Sequence, residues 1–308
     1  MIAVTATSFM KEPRLRLLLQ ECFPNIIIRF IEAEQSASEA ALIFQLKGAK
    51  AWLVGRETVS KRVVDALPDL KVIAKYGVGL DNIDFDACHH RGIRIVWEAG
   101  VNREAVAEHT LGLMLALSRN IGLGSRRLSQ GVWWKNGGSN LTGKCVGLVG
   151  LGHIGYRVAE LLKVFRCTIK FCDILDKSKE ASELGAHQVA YTELLEWADI
   201  LSFHVPLTGS TRGMLNRSVM VKTRAGVRII NTSRGEVIVE SDIKEFLHSG
   251  HIAGFGADVF EHEPLEDKEL YSMDNFIGTA HTAGNSQEAI WAMGASAVKG
   301  LQKELGFS

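Results

Sequence analysis

Cysteine is scarce in this sequence, and it does not occur in a disulfide or metal-binding pattern. The 308 residues include only five cysteines, an odd number, and no two of them form a C-x-x-C pair. This argues against the cysteine frameworks of small secreted domains and against a zinc site. Because disulfides form mainly in oxidising compartments, we predict reduced thiols and a cytoplasmic protein.

Long hydrophobic runs and an excess of charge of one sign are also missing. The longest segment without Asp, Glu, Lys or Arg has thirteen residues, 275–287, whereas a membrane-spanning helix needs about 20. Basic and acidic residues number 35 each, so no basic field attracts nucleic acid or an anionic membrane. Residues 1–6 resemble a first strand and lack the features of a signal peptide. These absences leave a small molecule as the expected partner.

What the sequence does contain is an alternation of apolar strands and helices. Such alternation predicts parallel β-α-β units, and the length suffices for two domains. The predicted strands are Ile2–Thr5, Ile26–Phe30, Ala51–Val54, Val72–Lys75, Ile93–Val96, Cys145–Val149, Thr168–Cys172, Ile200–Phe203, Val227–Ile230, Ala253–Ala257 and Phe276–Gly278. The predicted helices are Pro13–Glu21, Ser38–Leu46, Ser60–Leu67, Ile83–Arg91, Asn102–Arg119 and Ala289–Leu305. We therefore expect two doubly wound α/β domains with a ligand cleft between them.

A glycine motif follows the predicted strand at 145–149. The residues Gly150-Leu-Gly152-His153-Ile154-Gly155 have the form G-x-G-x-x-G, and helical periodicity continues after them. The first glycine makes a tight turn, the second lets the backbone approach a pyrophosphate, and the third lets the helix pack close to the strand. Because the motif joins a strand to a helix, it predicts a dinucleotide-binding loop.

Asp173 predicts which dinucleotide binds. It follows the next predicted strand, twenty-three residues after Gly150, where a carboxylate accepts hydrogen bonds from the ribose hydroxyls. The same negative charge repels the extra phosphate of NADP. We therefore predict NAD as the cofactor.

Several separated motifs resemble those of the D-isomer-specific 2-hydroxyacid dehydrogenases, a family that includes phosphoglycerate dehydrogenase. The resemblance covers nearly the whole chain, and the order and spacing of the motifs match the family. Besides the glycine loop, these motifs are Tyr76-Gly-Val-Gly-Leu-Asp-Asn-Ile-Asp84, Asn102-Arg-Glu-Ala-Val-Ala-Glu-His109, His204-Val-Pro-Leu-Thr208, Asn231-Thr-Ser-Arg-Gly235, Asp258-Val-Phe-Glu-His-Glu-Pro264 and His281-Thr-Ala-Gly284.

The resemblance implies a fold, a domain division and a set of site residues. It implies a Rossmann NAD-binding domain, residues 99–285, inserted in a flavodoxin-like substrate-binding domain, residues 1–98 and 286–308, and a homodimer. The implied catalytic residues are Arg234, Glu263 and His281. The implied cofactor contacts beyond the glycine loop and Asp173 are His204, Val205, Pro206, Thr211, Thr232, Ser233, Asp258 and Gly284. The implied substrate contacts are Tyr76, Gly77, Val78, Gly79 and Arg234.

The chemistry of these side chains suits the reduction of a 2-oxo acid. Arg234 offers paired planar donors for the carboxylate and the carbonyl of the substrate. His281 changes charge near neutral pH and can give a proton to the developing alkoxide. Glu263 would stabilise the imidazolium, and the glycines at 77 and 79 expose backbone N–H groups that bind a carboxylate.

Two departures from the family pattern narrow the prediction. Ala280 stands where the family usually has proline before the catalytic histidine, and Lys75 stands where phosphoglycerate enzymes usually have arginine. The loss of a bidentate fork argues against a phosphorylated substrate. Phosphoglycerate dehydrogenase therefore stays a secondary alternative, beside an NAD-sensing binding module of the C-terminal-binding corepressor type. Formate dehydrogenase fits poorly, since that branch usually has glutamine at the position of Glu263.

Two other clusters are better explained by structure than by function. The acidic and histidine residues at 81–90 suit helix caps and first-turn anions, so we predict no metal site. Trp133 and Trp134 are expected to pack between domains or subunits. The long helix predicted at 102–119 is apolar on more than one face, which suits burial or a homodimer interface.

Overall fold

A computed structural model of the chain describes residues 1–307 and divides it into two compact units. The smaller unit consists of Met1–Asn102 and the segment that starts at Asn285, and the larger unit is Arg103–Gly284. The larger unit is therefore inserted, in sequence, between two parts of the smaller one. No helix among the described residues combines the length and the apolar character that crossing a bilayer would need.

The smaller unit is built on a five-stranded parallel sheet. Its strands are β1 (Ile2–Val4), β2 (Ile28–Phe30), β3 (Ala51–Val54), β4 (Val72–Lys75) and β5 (Arg94–Val96). Its helices are α1 (Thr7–Lys11), α2 (Pro13–Cys22), α3 (Glu39–Leu46), α4 (Lys61–Asp65), α5 (Phe85–His90) and α14 (Gln287–Leu305), with a short 3₁₀ helix at Ala33–Ser36. The strand order 2-1-3-4-5 is that of flavodoxin-like sheets. The three central strands are fully buried, since helices cover both faces.

The larger unit has a seven-stranded sheet in which every pair of neighbours is parallel. Its strands are β6 (Cys145–Val149), β7 (Thr168–Cys172), β8 (His187–Gln188), β9 (Ile200–Phe203), β10 (Val227–Asn231), β11 (Ile252–Ala257) and β12 (Phe276–Gly278). Its helices are α6 (Arg103–Ser118), α7 (Ile121–Ser129), α8 (His153–Lys163), α9 (Ser178–Leu184), α10 (Tyr191–Trp197), α11 (Arg217–Met220), α12 (Glu240–His248) and α13 (Lys268–Ser272), with a 3₁₀ turn at Gly235–Val237. The strand order is β8-β7-β6-β9-β10-β11-β12. When the strands are renumbered from 1 within this unit, the order is 3-2-1-4-5-6-7, which extends the Rossmann order.

The predicted fold class is confirmed, because both units combine a parallel sheet with helices. Six predicted strands have the predicted bounds, namely those beginning at residues 51, 72, 145, 168, 200 and 276. The expectation for the acidic segment at 81–90 is also confirmed at its helix start, where the Asp84 carboxylate accepts a hydrogen bond from the N–H of Ala87 at 2.9 Å.

The long helix predicted at 102–119 is confirmed as α6, Arg103–Ser118, and it is followed by a helix that the sequence did not predict. The helix α6 ends at Ser118, Asn120 adopts a left-handed φ of 54°, and α7 starts at once. The buried side of α6 packs on α8 and on the sheet of its own unit. In contrast, α7 has no buried residue, and Trp133 is 78% exposed.

Candidate active site

One edge of the larger sheet collects six loops that carry predicted site residues. In a parallel sheet, the loops after the carboxyl ends of the strands meet at the same edge. The loops after β6, β7, β9, β10, β11 and β12 contain, in that order, the glycine motif, Asp173, His204, Arg234, Glu263 and His281. The strands β6 and β9 are neighbours although β7 and β8 lie between them in sequence, and such a switch in strand order is where ligands bind in open α/β sheets.

The glycine motif needs its first and third glycines for packing and leaves open space at the second. Gly150 has a φ of +94°, and a Cβ there would lie 2.6 Å from the carbonyl oxygen of His204. A Cβ on Gly155 would lie 2.2 Å from the carbonyl oxygen of Gly150. Gly152 precedes the first turn of α8, and a Cβ there would meet nothing within 4 Å. A pyrophosphate can therefore approach the N-terminal N–H groups of α8 beside Gly152.

Asp173 is fixed beside this loop by two backbone donors. Its Oδ2 accepts a hydrogen bond from the N–H of Leu151 at 2.8 Å, and its Oδ1 accepts one from the N–H of Leu175 at 2.9 Å. Each carboxylate oxygen has a second lone pair that can accept from a ribose hydroxyl. The next residue, Ile174, is apolar and 99% exposed. It therefore offers no positive charge to a 2′-phosphate.

His204 is held neutral at the end of β9. Its Nε2 lies 2.9 Å from Ser202 Oγ, and burial lowers the pKa of His204 to about 3. Its Nδ1 is shielded from solvent and has no hydrogen-bond partner among residues 1–307. Its backbone carbonyl also packs on Gly150, so His204 supports the glycine loop. Its ring is uncharged because it is buried.

Asn231, which the sequence alone did not assign to the site, shapes the turn that carries Thr232, Ser233 and Arg234. Its side-chain oxygen accepts from the N–H of Ser233 at 3.0 Å and from Ser233 Oγ at 2.8 Å. Its amide nitrogen donates to the carbonyl oxygen of Arg234 at 2.8 Å. The turn is closed by Gly235, where a Cβ would lie 1.9 Å from the carbonyl carbon of Phe260. The position of Arg234 is thus set by the backbone around it.

His281 and Glu263 are joined by a hydrogen-bonded contact across two loops. The imidazole Nδ1 lies 2.8 Å from Glu263 Oε2 and 2.9 Å from Oε1. The Glu263 Oε1 also accepts from the N–H of Phe260 at 3.3 Å, which orients the carboxylate. The pair is not fully buried, since the His281 side chain is 34% exposed. This contact fixes the ring and directs Nε2 away from Glu263.

Asp258 is buried beneath the loop that carries His281. Its Oδ1 accepts from Thr279 Oγ1 at 2.6 Å and from the N–H of Thr282 at 2.8 Å. Its Oδ2 accepts from the N–H of Ala283 at 2.8 Å. Its backbone carbonyl accepts from the N–H of His281, also at 2.8 Å. Asp258 therefore binds the loop on both sides of the histidine.

In the smaller unit, the loop after β4 begins with a buried tyrosine and a glycine of positive φ. Tyr76 packs edge-on against Phe9, and burial raises its pKa to about 12. Gly77 has a φ of +114°, which only glycine adopts readily. Lys75 directs its ammonium to the Gly55 carbonyl oxygen at 2.5 Å and to Asn82 Oδ1 at 2.9 Å.

Some of the predicted site residues contact one another, and others bond only within their own loops. Besides the pair of His281 and Glu263, Thr211 Oγ1 donates to the carbonyl oxygen of Pro206 at 2.6 Å and so closes the turn after His204. Among residues 1–307, no group of three or more His, Cys, Asp or Glu side chains is arranged to hold a metal ion.

Comparison with known proteins matches most of the larger unit to one family. Residues 111–283 match the family model described as "D-isomer specific 2-hydroxyacid dehydrogenase, NAD binding domain". The chain is 38% identical over 253 residues to a hydroxypyruvate reductase of Thermotoga maritima, covering 80% of this chain and 82% of that protein. It is 36% identical over 233 residues to a D-3-phosphoglycerate dehydrogenase of Bacillus subtilis, covering 75% of this chain and 44% of that protein. The match thus spans less than half of the length of this second relative.

Solved structures resemble the chain over nearly its full length. The TT0316 protein of Thermus thermophilus aligns with a TM-score of 0.88 and 30% identity, covering 99% of this chain and 96% of that one. The D-lactate dehydrogenase of Aquifex aeolicus, solved with NAD and lactic acid, aligns with a TM-score of 0.87 and 25% identity, covering 99% and 96%.

Proposed function

The chain belongs to the D-isomer-specific 2-hydroxyacid dehydrogenases and is an NAD-dependent oxidoreductase, and on this premise we propose its reaction. It interconverts a small 2-oxo acid and its D-2-hydroxy acid, with His281 as the acid and base, Glu263 as its partner and Arg234 as the substrate-binding cation. The observation that carries the proposal is the contact between His281 Nδ1 and the Glu263 carboxylate, whose two oxygens lie 2.8 and 2.9 Å from that nitrogen.

The cofactor fits the residues around the glycine motif. The open space at Gly152 suits a pyrophosphate, and the lone pairs of Asp173 suit the ribose hydroxyls. His204, Val205, Pro206 and Thr211 follow β9, whereas Thr232 and Ser233 follow β10. We propose that these residues, with Asp258 and Gly284, line the bound dinucleotide. When bound, NAD supplies or accepts the hydride at C2 of the substrate.

The proton follows a path set by His281. In reduction, Nε2 donates its proton to the substrate's carbonyl oxygen as that oxygen becomes an alkoxide, and in oxidation the neutral ring takes the hydroxyl proton back. The Glu263 carboxylate stabilises the imidazolium through Nδ1 and keeps Nε2 directed at the substrate. Arg234 binds the carboxylate and polarises the carbonyl with its planar donors.

The substrate is proposed to be a small, unphosphorylated acid. We propose that the backbone N–H groups of Gly77, Val78 and Gly79, beside Tyr76, bind its carboxylate. The ammonium of Lys75 is already directed to Gly55 and Asn82, and a lysine lacks the fork with which arginine grips a phosphate. These features favour an unphosphorylated acid over phosphoglycerate.

We propose a cytoplasmic homodimer with no membrane or nucleic-acid partner. The apolar side chains that α7 and the following segment expose, Ile121, Leu128, Val132 and Trp133, suit contact with a second copy of the chain. This surface is a better candidate than α6, whose apolar side packs within its own unit.

A panel of 2-oxo acids assayed with NADH tests the proposed reaction. Pyruvate, glyoxylate, hydroxypyruvate and phosphohydroxypyruvate are mixed with enzyme and NADH, and the loss of NADH absorbance is followed. Turnover of one of the unphosphorylated acids supports the proposal. Turnover of phosphohydroxypyruvate alone favours the phosphoglycerate alternative. NADH binding without turnover of any acid favours a binding module.

A further inference from the structure

Two consecutive residues of α6 bond to two loops of the candidate site. His109 Nε2 lies 2.8 Å from Thr279 Oγ1, in the loop after β12. Thr110 Oγ1 lies 2.8 Å from Thr232 Oγ1, in the loop after β10, and it is fully buried. None of the roles assigned above uses His109, although it ends one of the sequence motifs.

The direction of the hydrogen bonds follows from counting protons. Thr279 has one hydroxyl proton, and it donates that proton to Asp258 Oδ1 at 2.6 Å. Thr279 Oγ1 must therefore accept from His109, so Nε2 of His109 carries a proton. The same nitrogen lies 3.7 Å from Asp258 Oδ1. The chain of donors thus runs from His109 through Thr279 to the buried Asp258 carboxylate.

Asp258 in turn holds the backbone on both sides of His281. The N–H groups of Thr282 and Ala283 donate to its two carboxylate oxygens, and the N–H of His281 donates to its backbone carbonyl. His281 has a φ of +53°, a left-handed conformation that is uncommon outside glycine. Such a conformation persists only where its surroundings hold it.

We infer that His109 is a positioning residue for His281, acting through Thr279 and Asp258. By donating to Thr279, His109 fixes the hydroxyl that binds Asp258, and Asp258 then fixes the left-handed turn that presents the imidazole to Glu263. The kinetic consequence rests on the proposed function, whereas the consequence for loop order does not.

Four variants test this chain of contacts. His109→Leu and Thr279→Val remove a link, whereas His109→Gln and Thr279→Ser each keep a donor or a hydroxyl. We expect the first two to lower kcat about five- to tenfold with the KM for NADH changed less than twofold, because a misplaced acid affects the chemical step. We expect the conservative variants to recover most of kcat. The double variant His109→Leu/Thr279→Val should lose no more than either single change, since both break one chain.

Hydrogen exchange gives a readout that does not depend on activity. In His109→Leu and Thr279→Val, we expect the amides of the peptide 279–284 to exchange at least tenfold faster, while those of β10 stay unchanged. A matched control is His251→Leu, because His251 Nε2 also contacts a threonine, Thr223 Oγ1, at 3.0 Å, and His251 precedes β11 at the end opposite Asp258. The control should leave kcat and the 279–284 exchange at their wild-type values.

Three results would overturn the inference. The first is wild-type exchange at 279–284 in both disruptive variants. The second is a loss of kcat in His109→Gln and Thr279→Ser as large as in the disruptive pair. The third is an equal effect of His251→Leu, which would indicate general destabilisation. If the wild-type protein reduces no 2-oxo acid, the proposed function fails, and the exchange experiment still decides the positioning role.

Discussion

Gly155→Ala should weaken NADH binding by distorting the phosphate loop. The added Cβ would lie 2.2 Å from the carbonyl oxygen of Gly150, which is backbone and has no rotamer to change. Since real Cβ contacts essentially never fall under 3.0 Å, the first turn of α8 and the loop must separate by about 0.8 Å, the difference between 3.0 and 2.2 Å. Overpacking of this kind costs about 1–3 kcal/mol, and the separation falls where the pyrophosphate must approach.

Two other glycines serve as controls for this substitution. Gly112 lies in α6 with nothing within 4 Å of its would-be Cβ, so Gly112→Ala should stabilise the protein by about 0.5–1 kcal/mol through helix propensity. Gly152→Ala meets no protein atom within 4 Å, so it should fold normally and yet bind NADH more weakly, because its methyl group occupies the space left for the phosphates.

Calorimetric titration with NADH and urea unfolding separate these outcomes. We expect Gly155→Ala to lose both stability and at least tenfold in NADH affinity, Gly152→Ala to lose affinity alone, and Gly112→Ala to lose neither. Wild-type affinity in Gly155→Ala, or in both site variants, would refute the assignment of this loop to the cofactor.

Two further predictions concern the cofactor loops. Asp173→Ala should narrow the preference for NADH over NADPH, because it removes both the acceptor for the ribose hydroxyls and the charge that repels the 2′-phosphate. The measurement is kcat/KM with each cofactor, and an unchanged ratio of the two values would contradict the prediction. Burial lowers the pKa of His204 to about 3, below the ordinary histidine value. Between about pH 6.5 and 3 the unfolded chain therefore binds more protons than the folded chain, so the free energy of unfolding falls as pH drops through that window. Urea unfolding at pH 7 and pH 5 should give a smaller loss of stability in His204→Gln than in wild type, and equal losses would contradict it.

The sequence predicts best where the structure is periodic. The strands at 51–54, 145–149 and 200–203 are short, mostly apolar runs that each follow a charged residue and end before a glycine or a histidine, and their bounds agree with the structure. The helix α1 and the two-residue strand β8 were missed, because so few residues carry no periodic signal. The helix α7 was missed because its two glycines and the left-handed Asn120 interrupt the pattern.

The site was predicted residue by residue from motifs, and its supporting contacts were not. The Asn231 side chain bonds within its own turn, and an asparagine at the end of a strand with a serine two positions later is the signal that could have found it. His109 and Thr279 lie 170 residues apart, and no pattern within one sequence pairs them. Contacts between loops depend on the strand order of the sheet, which fixes which loops become neighbours.

In the proposed mechanism, His281 exchanges the proton while Glu263 stabilises the charge on His281. The most direct test measures the pH dependence of catalysis in both directions, for wild type and for Glu263→Gln. Reduction needs a protonated imidazole and oxidation a neutral one, so kcat/KM for reduction should fall as pH rises and kcat/KM for oxidation should fall as pH drops. Glu263→Gln keeps the shape of the side chain and removes the charge that lies 2.8 Å from Nδ1. Both profiles should then move to lower pH together, because the imidazolium loses the charge that stabilises it. Profiles that stay in place, or that move in opposite directions, would contradict the proposed acid–base pair.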